Sequence, residues 1–157
     1  MGITVNLTGG NKFAAVLDKL AKQAEVSLKV GVLEGATDPA GELIAPRAFY
    51  NEFGTVDVES RPAFRSTIDE KAGEWAQGLE DSVRGHMDEP SILARAFNQL
   101  GQVMAEDIQD KIGSGVGPAL AETTVKAKTR KGLAAPGLQL VEDADYQNSI
   151  NFEVETK

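Results

Sequence analysis

SILARAFNQLGQVMAEDIQDKIG, residues 91–113, decides how the rest of the chain is read. Leu93, Phe97, Leu100, Met104, Ile108 and Ile112 recur every three or four positions, which places one apolar stripe along an α-helix. Asp88 and Pro90 stand where such a helix begins, and Gly113 stands where it stops. The acids Glu106, Asp107 and Asp110 interleave with the stripe at a spacing that suits a solvated face, so they read as surface charge and not as metal ligands.

Outward from this helix toward the N-terminus, Phe64, Ile68, Ala72, Trp75, Leu79 and Val83 form a second stripe that follows Arg61-Pro62, with Trp75 expected in the core. Gly73 and Gly78 weaken that helix, so packing must hold it. Residues 34–62 hold Gly35, Pro39, Gly41 and Pro46, and only short regular structure is expected there, in a long excursion from the fold. Before it, Leu28, Val30 and Val32 alternate with Ser27, Lys29 and Gly31 as a strand does. Earlier still, Ile3, Val5 and Leu7 alternate as another strand, and residues 11 to 25 have the pattern of an amphipathic helix.

Toward the C-terminus, 113–120 reads as a flexible connector. Its glycines invite comparison with a phosphate-binding loop, but Gly117 is followed by Pro118 where that loop needs Lys and then Ser or Thr. A short helix is expected over Ala121 to Arg130, and Ile150, Phe152 and Val154 alternate with Asn151, Glu153 and Glu155 as a closing strand. Strands separated by helices imply an α+β domain spanning 1–157, a small, mainly antiparallel sheet with helices packed on one face. The 157 residues suit one such domain better than two.

Composition excludes several functions. No cysteine is present, so disulfides, thiolate metal sites and a cysteine nucleophile are out. His86 is the lone imidazole and reads as a solvated linker residue, with no triad around it and no cofactor or metal expected. A formal net charge of -8 disfavours a general or sequence-specific nucleic-acid binder, since phosphate recognition needs a basic face. No apolar run approaches the length of a membrane span, and MGITVNLTGG lacks a signal-peptide pattern, so the expectation is a start in the cytoplasm with no membrane partner.

Within this acidic chain, VKAKTRKG gathers Lys126, Lys128, Arg130 and Lys131, a patch suited to an acidic partner surface or simply to solvent. In Asn51-Glu52-Phe53-Gly54-Thr55 an aromatic sits beside a permissive glycine. Phe53 is expected in its own core, with presentation to a neighbour as the alternative. Arg61 and Arg65 flank Pro62 and Phe64 at a helix entrance, placed to pair with an acid or stack on an aromatic, within the chain or across an interface. Glu52 and Asp57 could also be read as a hydrolytic carboxylate pair, but no second motif supports an enzyme.

VGVLEGATDPAGELIAPRAFYNEFGT (30–55), RPAFRSTIDEK (61–71) with Trp75, and LAETTVKAKTRKG (120–132) ahead of Asn148-Ser149-Ile150 together resemble the neck and tail-completion proteins of long-tailed bacteriophages. Where that family has a Leu-Ile-Asp-Thr-Gly run before its last strand, this chain has Leu140-Val141-Glu142-Asp143-Ala144 and lacks the turn glycine. The resemblance implies a structural virion protein that joins head to tail. Its copies would form a ring, expected to be hexameric, around the tail axis, in contact with tail-terminator, head-completion or portal-side connector proteins. The net charge of -8, separately from the resemblance, suggests an acidic lumen through which genomic DNA would pass. Glu52, Phe53, Arg61, Arg65 and the four cations of VKAKTRKG become the candidate interaction residues. A tail-terminator that caps the tube is the near alternative, and a small adaptor docking a host protein through VKAKTRKG a more distant one.

Overall fold

The computed structural model describes residues 26–84, 86, 89, 91–133, 135–137, 140 and 144–156. The strand expected at Ile3 to Leu7 and the helix expected at 11–25 lie outside the described residues. In chain order the elements are β1 (Val26–Val32), α1 (Ile44–Phe53), α2 (Ala63–Arg84), α3 (Ile92–Ser114), α4 (Glu122–Arg130), α5 (Asp145–Asn148) and β2 (Ile150–Thr156). The fold is α+β, and among the described residues helices pack against a two-stranded antiparallel sheet.

Both strands form where alternation predicts them. Their register pairs Leu28 with Val154, Val30 with Phe152 and Val32 with Ile150, so the apolar residues of both strands share one face. The opposite face carries Ser27, Lys29, Glu153 and Glu155, and there Lys29 is ion-paired with Glu155.

Helix α3 lies at the centre, against both strands and α2. Its buried residues are Ile92, Ala96, Gly101, Ala105, Ile108 and Ile112. Only Ile108 and Ile112 belong to the stripe read from sequence; Leu93, Phe97, Leu100 and Met104 are only partly buried. The hidden face is rotated because the sheet comes close. A Cβ on Gly101 would sit 2.5 Å from Phe152 Cδ2 and 2.8 Å from Leu28 Cδ1, so only a residue without a side chain admits those two large groups. The helix also runs past Gly113 to Ser114. Gly115, at φ 90°, closes it, and its N–H donates to the Ile112 carbonyl.

Helix α2 packs along α3 through Trp75, which is buried as expected. Its indole N–H donates to Asp107 Oδ2 at 2.7 Å, so Asp107 anchors the helix pair and is not a freely solvated charge. Ile68, by contrast, is 46% exposed. The main core joins Ile44, Ala48, Ala63, Ala105, Ile108, Ile112, Val116, Tyr146 and Ile150. Val116 places part of the 113–120 connector in that core.

Residues 34–62 depart most from expectation, because they contain the ten-residue helix α1. Pro46 looks like a breaker but falls in the first turn, where the amide N–H has no intrahelical acceptor to lose. Ahead of α1 the Asp38 carboxylate accepts from the amides of Ala40 and Glu42, both at 2.9 Å, and a Thr37–Leu43 bridge closes the turn. No helix among the described residues is long and apolar enough to cross a membrane.

Candidate functional site

The junction of α1 and α2 brings four of the sequence-derived site residues together. Helix α2 is preceded by Pro62, which has no side-chain acceptor, and its first turn contains no acidic residue. Its exposed amides therefore need a carboxylate from elsewhere, and α1 delivers one in its penultimate residue, Glu52. The Glu52 side chain, 6% exposed, accepts from the Phe64 amide at 3.1 Å, the Arg65 amide at 3.0 Å and Arg65 Nε at 3.0 Å. Arg65 returns a second bond from its guanidinium to the Glu52 carbonyl oxygen. Glu52 thus serves the second and third amides of α2, the donors that an N-cap side chain would satisfy.

Two opposing helix-end effects meet at Glu52. A carboxylate at the C-terminal end of its own helix is unfavourable, while the same charge at the N-terminus of α2 is favourable, each by about 0.3–1 kcal/mol. These nearly cancel, and the charge-assisted hydrogen bonds, each worth about 1.5–3 kcal/mol, decide the balance. With its oxygens so engaged, Glu52 is a clamp between helices. Asp57 sits in an exposed turn, its amide bonded to Thr55 Oγ1 at 3.3 Å.

The same junction turns the chain through Gly54. At φ 76° its N–H donates to the Tyr50 carbonyl at 2.8 Å, and an added Cβ would lie 2.8 Å from the Val58 carbonyl oxygen. The Arg61 amide then bonds the Asn51 carbonyl at 2.6 Å, closing the 54–62 loop back onto α1.

Phe53 does not enter the core; it is 57% exposed. The clamp fixes Glu52 inward, and the next residue of a helix points about a quarter-turn away. Phe49 and Phe53, at i and i+4, stack with ring centroids 4.8 Å apart, and Tyr50 meets Phe49 edge-on at 6.0 Å. The Arg65 guanidinium lies 5.0 Å from the Phe53 ring centroid, so Arg65 both pairs with an acid and covers an aromatic within one chain. Phe49 and Tyr50 are 58% and 54% exposed, and Val56 and Val58 extend the apolar surface into the loop. Between this row and β1 runs an open groove of about 400 Å³ with walls that include Val30, Val32, Phe49, Phe53 and Phe64.

The cations of VKAKTRKG are not one patch, because α4 distributes them around its axis. Lys126 pairs with Glu122 at 3.3 Å and, like Arg130 one turn on, is exposed. Lys131, just past the helix, is exposed as well. Lys128 turns inward and is buried against a cleft that also includes Arg61, Arg47 and Tyr146.

His86 lies on the surface, its Nδ1 3.2 Å from the Ser82 carbonyl oxygen. Among the described residues no three His, Asp or Glu side chains converge to hold a metal ion. Sequence reasoning missed Phe49, Tyr50, Arg47 and Tyr146. The spacing of Phe49, Tyr50 and Phe53 was a usable signal, but only once α1 is recognised as a helix. Comparison of the chain with protein-family models, curated proteins and solved structures returns no match.

Proposed function

We propose that this chain is a structural virion protein of a tailed bacteriophage, acting at the neck in tail completion and head-to-tail joining through contacts among its own copies and with neighbouring virion proteins. It works by buried area and fit, without catalysis. The observation that carries this reading is the exposed aromatic row Phe49, Tyr50 and Phe53, held outward by the Glu52–Arg65 clamp. It falls within the stretch 30–55 whose residues resemble the neck family. Large apolar side chains clustered on one helix face mark interaction surfaces, and covering one such ring fully is worth about 2–3 kcal/mol. A contact of standard size buries on the order of 1,200–2,000 Å² in total, and closure into a ring turns modest pairwise contacts into a persistent assembly.

The test is deletion of the gene from its phage, complementation with wild type or with Phe49→Ser/Phe53→Ser, and electron microscopy of the particles. Filled heads separated from otherwise complete or abnormally ended tails are expected after deletion. Infectivity should return with the wild-type copy and stay low with the double variant. Normal infectious virions lacking the protein would sink the proposal.

A further inference from the structure

The chain carries 16 Lys and Arg against 24 Asp and Glu, yet one cleft reverses that balance. It is formed by Arg47 and Asn51 of α1, Arg61 of the following loop, Lys128 of α4, and Asp145 and Tyr146 of α5, and it encloses about 180 Å³. Three cations among the described residues line this cleft beside one carboxylate. Among the described residues neither Arg47 nor Arg61 has a carboxylate within ion-pairing distance. Two donors at the cleft, Arg61 Nε and the Tyr146 hydroxyl, are buried and without a hydrogen-bond partner among the described residues. Tyr146 itself is 4% exposed. Desolvated donors left unpaired are costly and rare, and a ligand that accepts from them removes the cost.

We propose that this cleft binds a small oxyanion of the phosphate or sulfate class. The guanidinium groups of Arg47 and Arg61 grip it, Lys128 forms the inner wall, and the Tyr146 hydroxyl donates to it. Guanidinium forks match the oxygens of such an anion in pairs. The volume exceeds several times the space that one ordered water needs, so an anion of five heavy atoms fits. Burial, and then the charge of Glu52, raise the Tyr146 pKa above its ordinary value against the opposing pull of Arg47, so the phenol keeps its proton and remains a donor. The bound anion would tie α1, the 54–62 loop and α4 together, stiffening the helix that presents the aromatic row. The proposal does not depend on the virion reading.

The experiment is isothermal titration of the full chain with inorganic phosphate at constant ionic strength, with sulfate and acetate as parallel ligands and 31P line broadening as a second readout. Saturable one-to-one binding is expected for phosphate and sulfate. Arg47→Gln, a change on the exposed side of α1, should weaken it about tenfold or more, the loss of one charge-assisted hydrogen bond. Tyr146→Phe should weaken it less, and Arg130→Gln, away from the cleft, should leave it unchanged. Absence of saturable binding, or affinity unaltered in Arg47→Gln, would overturn the proposal. So would acetate binding as tightly as phosphate, which would assign the cleft to a carboxylate side chain. Binding seen only after Glu142→Gln/Asp143→Asn would show that the chain's own acids fill the cleft, and the proposal would fall equally.

Discussion

Replacing Glu52 with Ala removes a carboxylate that accepts from two backbone amides and one guanidinium N–H at 3.0–3.1 Å. The amides of Phe64 and Arg65 would be left at a helix start whose own preceding residue, Pro62, offers no substitute acceptor. Loss of an N-cap costs about 0.5–2 kcal/mol, and loss of a charge-assisted bond up to about 3. Relief of the unfavourable charge at the end of α1 is offset by loss of the favourable charge at the start of α2, so the helix-end terms nearly cancel. Because these bonds form one network and water re-solvates part of it, the terms do not add fully, and the net expectation is about 2–4 kcal/mol. For a chain of 157 residues that corresponds to a fall in Tm of roughly 4–16 °C.

Urea unfolding followed through the single tryptophan, Trp75, and by far-UV circular dichroism measures the effect. Arg65→Met supplies the contrast. It removes a half-exposed ion-pair partner but leaves both backbone donors on Glu52, so it should cost under about 1 kcal/mol. Equal costs for the two variants, or a Glu52→Ala cost below about 0.5 kcal/mol, would refute the claim that Glu52 acts mainly by capping α2.

Two glycines in helices should respond in opposite senses to alanine. Gly101→Ala forces a methyl into Phe152 and Leu28 and should destabilise by about 1–3 kcal/mol despite the better helix propensity, whereas Gly73→Ala meets open space and should stabilise by about 0.5–1 kcal/mol, both read by urea midpoint. Asp107→Leu leaves the Trp75 indole N–H without its acceptor, costing about 1–3 kcal/mol and shifting the tryptophan emission spectrum; an unchanged spectrum would contradict the 2.7 Å bond. For Tyr146, whose folded pKa is raised, stability is fully present below the unfolded value of about 10 and is lost as pH rises beyond it, since only the unfolded chain then releases the proton readily. Tyr146→Phe should therefore flatten the alkaline limb of a Tm-against-pH curve, and a limb of unchanged slope would contradict the burial of the phenol.

Strand positions were legible because alternation is a local property: Leu28, Val30 and Val32 read correctly without knowledge of their partner. The lining of α3 was not, because residue hydrophobicity ranks size while close packing against a sheet selects for small groups, and Ala96, Gly101 and Ala105 carry little apolar signal. Helix α1 was obscured by Pro46, whose meaning depends on whether it falls in a first turn or an interior. Glu52 was singled out as a contact residue, but its capping role arises from the meeting of two helices and leaves no periodic trace. Arg47 and Tyr146, nearly a hundred positions apart along the chain, join one cleft with no motif to announce it. Arg47 and Asn51 share a helix face at i and i+4, a signal that becomes visible only after α1 is assigned.

The pairing of β1 with β2 also sets an order of events in the cell. Ser27 and Glu155 face each other across the sheet although 128 residues separate them. At ribosomal rates that interval is roughly 6–25 s, during which β1 has emerged and its eventual neighbour does not yet exist. Every helix from α1 to α5 is made in the meantime, so α3 can shelter Leu28, Val30 and Val32 before the sheet zips shut. A chain truncated after α4 would therefore hold a helical intermediate with an open strand edge, and premature association between such chains is most hazardous before β2 is available.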